Sequence, residues 1–198
     1  TSRLNSQIDD NGNATTYLYD GLNRKFATVF ADGTGQTNFL DVHGTAFLFT
    51  DGNGNRVTNR YDALDRLGRR DIAVGPGVSP DTTFEVFKYD GQSRLIYAED
   101  NDSLVLRAYD SLSRVTQEIQ NTAVVGAVFD NVGNQTQLVY PSGRVITQSF
   151  DELERLKTVA EGSTNIAQYF YTGPRRVQRR DNGNGTRAEY SYDGILGV

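Results

Sequence analysis

The 198 residues carry 20 basic and 25 acidic side chains, a net charge of −5, with 37% hydrophobic residues, 20 Gly, 4 Pro and no Cys. The apolar fraction is too high for a disordered chain. The lack of Cys excludes a disulfide framework and a cysteine-ligated metal site, and the acidic balance argues against a nucleic-acid surface, which needs clustered Lys and Arg. No apolar run approaches the roughly 18 residues of a membrane span.

In chain order, residues Thr1 to Gln7 read as the end of a unit, and Asp9-Asp10-Asn11-Gly12-Asn13 as a turn whose Asn-Gly supplies positive φ. Thr15 to Tyr19 alternates as a strand, with Tyr17 and Tyr19 on one face. Asp20-Gly21-Leu22-Asn23 is the next turn and Phe26 to Phe30 the next strand. The same alternation returns at Phe87 and Tyr89, at Val125, Ala127 and Phe129, at Tyr169 and Tyr171, and at Tyr190 and Tyr192. Turns recur at 51–55, 131–134, 141–143 and 181–185. Glu152 to Thr158 is the nearest approach to a helical stripe, and it falls on a turn and strand of the pattern, so it reads as strand. The expected fold is all-β: an antiparallel meander of β-hairpins forming one long curved sheet.

The chain is periodic. An anchor stands at Tyr19, Leu40, Tyr61, Tyr89, Tyr109, Phe129, Phe150, Tyr171 and Tyr192, at gaps of 21, 21, 28, 20, 20, 21, 21 and 21 residues. The next residue is Asp20, Asp41, Asp62, Asp90, Asp110, Asp130, Asp151 or Asp193, with Thr172 the exception. Five after the anchor come Arg24, Arg66, Arg94, Arg114, Arg155 and Arg176, while Thr45, Asn134 and Gly197 break the rule. One further on lies Leu67, Leu95, Val115, Leu156, Val177 or Val198. Such a period marks a repeat architecture. The reading is a single array over 1–198, an excerpt of a longer one, since Arg3-Leu4 fits the second half of an earlier unit. The long gap holds an insertion at 75–82, with two of the four prolines, expected to protrude between strands that still pair.

Each residue type has a physical reason. The anchor buries apolar surface on one face, and stacked hairpins would bury anchor on anchor, gaining stability from neighbour terms. The aspartate can accept backbone N–H groups across its turn. The aliphatic three after the anchor (Leu22, Leu64, Leu112, Val132, Leu153 and Ile195) is expected to tuck the turn onto the sheet. The arginine can pair with the aspartate of its own or an adjacent repeat, an inter-repeat ladder being favoured, or line a solvated face.

Chemistry is sparse. His43 is the only histidine and sits in a turn, so a Ser-His-Asp arrangement would rest on it alone. Gly52-Asn53-Gly54 and Gly183-Asn184-Gly185 lack the Lys and helix of a phosphate loop. Asp9, Asn11, Asn13 with Asp20, and Asp51, Asn53, Asn55 with Asp62, imitate the spacing of a calcium loop without its central Gly and terminal Glu; hairpin turns are the favoured reading. No enzyme, cofactor or metal site is expected.

Tyr61-Asp62-Ala63-Leu64-Asp65-Arg66-Leu67 and Tyr89-Asp90-Gly91-Gln92-Ser93-Arg94-Leu95, at this period, resemble the YD repeat of bacterial Rhs proteins, insecticidal toxin-complex shell proteins and animal teneurins. The family's Gly before Arg is kept only at the equivalent Gly44 and Gly133. The resemblance covers essentially the whole chain. It implies a strip of hairpins walling a shell around a C-terminal toxin, or an extracellular scaffold, in a secreted or cell-surface bacterial protein. Neighbouring repeats of the parent and an enclosed toxin domain are the partners so implied. An adhesin-like module for carbohydrate or a partner protein is the alternative, and open sheet edges would favour self-association.

Overall fold

A computed structural model describes residues 2–193. Among them are eighteen strands and no helix. The backbone groups into two compact units, Thr1–Val105 and Leu106–Val198.

The first unit contains β1 (Ser6–Ile8), β2 (Ala14–Tyr19), β3 (Lys25–Val29), β4 (Gly35–Leu40), β5 (Ala46–Thr50), β6 (Arg56–Tyr61), β7 (Leu67–Ala73), β8 (Phe84–Tyr89) and β9 (Leu95–Glu99). Each strand pairs antiparallel with the next in sequence, from Ser6↔Thr16 to Val86↔Glu99. The second unit continues from β10 (Leu104–Tyr109), which the division crosses, to β11 (Val115–Gln120), β12 (Ala123–Phe129), β13 (Gln135–Val139), β14 (Val145–Phe150), β15 (Leu156–Glu161), β16 (Thr164–Thr172), β17 (Arg176–Asn182) and β18 (Arg187–Glu189). From β11 onward the same nearest-neighbour pairing holds. The expected all-β, antiparallel meander of hairpins is what each unit is.

The hairpins turn by one device. In the turn after β2, the Asn23 N–H reaches Asp20 O at 3.0 Å and the Asp20 N–H reaches Arg24 O at 2.9 Å. Asn23 has φ 63°. This is a three-residue loop, a type I turn followed by one left-handed residue. Asp65, Ser93, Ser113 and Glu154 hold the same place at φ 56–64°, as do Gly44 and Gly133. The place held by Gly44 and Gly133 is therefore a conformational one, filled five times by other residues that bear the strain. The Asn-Gly turns work the same way: Gly12 and Gly54 have φ of 83° and 81°, whereas Asn11 and Asn53 are not at positive φ. A two-residue turn with both centres at positive φ is not formed there.

Some expected boundaries move. β3 ends at Val29 because the Phe30 N–H already closes the following turn onto Thr34 O at 2.9 Å. Glu152 to Thr158 divides into a turn through Arg155 and a strand from Leu156. The insertion does leave its flanking strands paired, with Arg69 opposite Val86. Its base is not free, however. The Gly75 N–H donates to Asn55 Oδ1 at 2.8 Å, and a Cβ on Gly75 would lie 2.0 Å from Asn53 O. Residues 76–81 are exposed beyond that seat.

Neither unit has a packed core. Among the described residues, only Ala27, Ile146 and Ala167 are buried hydrophobic side chains. The accessible surface is 13424 Å², against roughly 9,300 Å² for a compact protein of this mass. Stability must come from links between neighbouring strands rather than from a second layer.

Candidate functional site

The repeated element is a clamp built on the hairpin turn. Asp151 shows it in full. Its Oδ1 accepts the N–H groups of Leu153 and Arg155 at 2.9 and 3.0 Å, and its Oδ2 accepts Arg155 Nε at 2.8 Å. Asp20 does the same with Leu22 and Arg24, Asp62 with Leu64 and Arg66, Asp90 with Gln92 and Arg94, and Asp110 with Leu112 and Arg114. The Nε–Oδ2 distances are 2.6–2.7 Å in these four. The arginine thus pairs with the aspartate of its own repeat, not with that of a neighbour, because the three-residue loop brings positions four apart onto one edge.

The link to the next repeat uses the rest of the guanidinium. Arg155 Nη1 donates to Gly173 O at 2.6 Å, and its Cζ lies 4.4 Å from the Tyr171 ring centroid. Arg66 stands 4.7 Å over Tyr89 and Arg114 4.6 Å over Phe129. Arg3 covers Tyr19 and Arg176 covers Tyr192, at 5.3 and 5.2 Å. Arg24, facing Leu40 instead of a ring, keeps only the carbonyl bond, to Asp41 O at 2.8 Å. The expected anchor-on-anchor stacking is therefore replaced by rings alternating with guanidinium groups. A cation over a ring is worth about 0.5–1 kcal/mol at exposed sites.

The anchor phenol supplies a second link. Tyr171 O–H donates to Leu156 O at 2.8 Å, Tyr192 to Val177 O at 2.7 Å, Tyr89 to Leu67 O at 3.1 Å, Tyr61 to Ala46 O at 3.0 Å and Tyr19 to Leu4 O at 2.9 Å. For Tyr61, Tyr89, Tyr171 and Tyr192 the acceptor lies six residues after the previous anchor. At that place the register shifts, as between Ser149 and Phe150, where Phe150 pairs with Leu156 and Ser149 with Thr158. The bulge leaves Lys157 outside the ladder, and the phenol bonds the carbonyl of its neighbour Leu156. This bond and the ring contact are invisible in a linear reading. The signal that could have found the phenol bond is the preference for Tyr over Phe at the anchor.

The irregular copies follow the same chemistry. Asn134, Asn13 and Asn55 take the arginine's place, with Nδ2 donating to Oδ2 of Asp130, Asp9 and Asp51 at 3.0, 2.8 and 2.8 Å. The carboxylates of Asp9 and Asp51, which imitate calcium ligands in sequence, are directed at their own turn amides. Asn134 is too short to cover the next anchor, Phe150. Thr172 replaces the aspartate in the Tyr171 repeat and pairs directly across to Arg176. The turn expected after Asp193, with Ile195, Gly197 and Val198, lies outside the described residues.

The aliphatic side chains at the turn tips do not tuck under. Leu22, Leu64, Leu112, Val132 and Leu153 are 63–70% exposed. They occupy the third corner of a type I turn, which points away from the sheet. His43 likewise sits on a tip, its Nδ1 3.9 Å from Asp41 Oδ2 and its side chain 71% exposed.

The electrostatics fit a clamp. The Arg66 and Arg155 guanidinium groups, ahead of their own backbone amides, hold the Asp62 and Asp151 carboxyls below the usual carboxylate range. For Asp20 the Arg24 backbone amide is the leading cause. Burial, then the nearby Asp151, pushes the Tyr171 phenol up.

No protein-family model matches the chain, and no curated protein matches it either. Among solved structures it is similar to the crystal structure of TcdB2-TccC3-TEV, with a TM-score of 0.68 at 15% identity, over 90% of this chain and 10% of that one. It is similar to the crystal structure of TcdB2-TccC3, at 0.66 and 13%, over 95% and 13% of the two chains. It is also similar to a structure of the Photorhabdus luminescens Tc holotoxin pore, at 0.65 and 14%, over 95% and 12%. The chain spans about an eighth or less of the length of these structures. At this identity the likeness shows the fold, and it is consistent with the shell-type repeat that the sequence resembles.

Proposed function

We propose that the chain is a wall segment of an Rhs-type, YD-repeat shell, belonging to a secreted or cell-surface bacterial protein. The shell encloses a toxic C-terminal part of the same polypeptide or stands as an extracellular scaffold. The segment itself performs no catalysis. The observation that carries this reading is the clamp: aspartate, arginine and ring are spent on holding one hairpin to the next, step after step. The likeness to Tc toxin structures supports it. The test is electron microscopy and limited proteolysis of a polypeptide carrying this array with its natural flanking sequence. A closed hollow particle that shields an internal segment from protease supports the reading, whereas an open ribbon cleaved evenly along its length refutes it.

A second reading rests on Phe39 and Phe47, 50% and 42% exposed with ring centroids 6.4 Å apart. Exposed ring pairs suit a sugar face, and a glycan array that responds to the chain but not to Phe39→Ala would favour a binding module.

A further inference from the structure

We propose that Asn11 and Asn53 are sites of spontaneous deamidation in the folded chain, while the chemically equivalent Asn182 and Asn184 are protected. All four precede glycine. In this reaction the glycine backbone nitrogen attacks the asparagine side-chain carbonyl carbon and ammonia leaves. Water then opens the cyclic imide to aspartate or isoaspartate. The glycine has no side chain to hinder the attack, and a hydrogen bond held by either of two groups slows it: the glycine N–H or the asparagine side-chain amide.

The first group is restrained in all four. Gly12, Gly54 and Gly185 donate to the carbonyls of Asp9, Asp51 and Asn182 at 3.0, 3.1 and 3.0 Å, and Gly183 to Ile166 O at 2.8 Å. The second divides them. The Asn11 and Asn53 side chains are exposed and make no hydrogen bond among the described residues; only their backbone amides are engaged, by Asp9 and Asp51. Asn182 Nδ2 donates to Thr186 Oγ1 at 2.8 Å. Asn184 Oδ1 accepts both the Thr186 N–H at 3.1 Å and its hydroxyl at 2.7 Å. Gly183 is further wedged, since a Cβ there would lie 1.9 Å from Asn165 O. One hydrogen bond of about 1 kcal/mol slows a step that must break it about fivefold.

The consequence differs at the two reactive sites. Isoaspartate adds a backbone carbon within a three-residue loop. At Asn53 that loop is the seat of the insertion, because Gly75 packs on the Asn53 carbonyl and bonds Asn55. Conversion at Asn53 therefore releases loop 75–82, whereas conversion at Asn11 releases nothing comparable.

The experiment is peptide mapping by mass spectrometry of the folded chain, incubated at mildly alkaline pH, beside a urea-denatured sample. Asn11 and Asn53 should convert at least fivefold faster than Asn182 and Asn184 when folded, and all four at similar rates in urea. Thr186→Val should accelerate Asn182 and Asn184, while Thr186→Ser, which keeps the hydroxyl, should not. Protease cleavage within 75–82 should rise with isoaspartate at position 53 and stay low in Asn53→Gln. Equal rates at all four sites in the folded chain, or a loop whose cleavage ignores conversion at Asn53, would overturn the proposal.

Discussion

Arg155 and Tyr171 belong to successive repeats, and the guanidinium carbon of one lies 4.4 Å from the ring centroid of the other. The same arginine holds Asp151 behind it and Gly173 O ahead of it, while the Tyr171 phenol reaches back to Leu156 O. Removing the phenol alone leaves the ring contact intact and the Leu156 carbonyl without its donor. Tyr171→Phe should therefore lower stability by about 0.5–1.5 kcal/mol in urea denaturation. The converse change, Phe129→Tyr, should raise it by a similar or smaller amount, since Arg114 already covers that ring.

The Asn134 repeat lacks the forward arm of the clamp. Asn134→Arg should keep the bond to Asp130 and cover the Phe150 ring, stabilising the fold by about 0.5–1 kcal/mol. No change, or a loss, in the urea midpoint would count against the clamp as the source of inter-repeat stability.

Glu154 carries φ 60° in a place suited to glycine. Glu154→Gly should stabilise by about 0.5–1 kcal/mol, the relief of left-handed strain exceeding the added unfolded-state entropy. Gly133→Glu, at φ 107°, should destabilise by about 1–2 kcal/mol. Thermal melts of the two variants would show opposite shifts.

The turn aspartates set an acid limit. Asp20, Asp62 and Asp151 titrate lower in the folded chain than in the unfolded one. Their contribution is therefore complete above the unfolded value, about pH 3.9, and is lost as pH falls through the folded values. Melting temperature should be insensitive to these groups from pH 7 to about 5 and should drop below about pH 4. Asp151→Asn should flatten that drop; an equally steep one would show that the acid sensitivity lies elsewhere.

Turn-tip aliphatics should be dispensable for folding. Leu112→Ser and Leu153→Ser should change stability by less than about 0.5 kcal/mol, as measured by urea denaturation. A larger loss would mean that these side chains do pack on the sheet.

Much of this architecture is legible in the sequence because the repeat writes it nine times over. Period-two alternation and a 21-residue spacing give the strands, the turns and the antiparallel meander. Asp20 with Arg24, four residues apart, could be seen as a candidate pair, but the loop geometry that closes it within one repeat could not. The link from Arg155 to Tyr171 was hidden for another reason. It joins residues 16 apart through a bulge that no local composition marks, so ring stacking was the simpler expectation. Leu22, Leu64, Leu112 and Leu153 misled because a hydrophobic residue at a fixed place suggests burial, whereas the third corner of a type I turn faces outward. The seat of the insertion on Asn53 depends on the lack of a Cβ at Gly75, which sequence shows only as one glycine among many.

Successive hairpins are coupled through arginine and ring. This coupling is tested most directly by a double-mutant cycle of Arg155→Ala and Tyr171→Ala, read by urea denaturation. A coupling free energy of about 0.5–1 kcal/mol or more is expected, the two losses failing to add. Strict additivity of the two changes would contradict it.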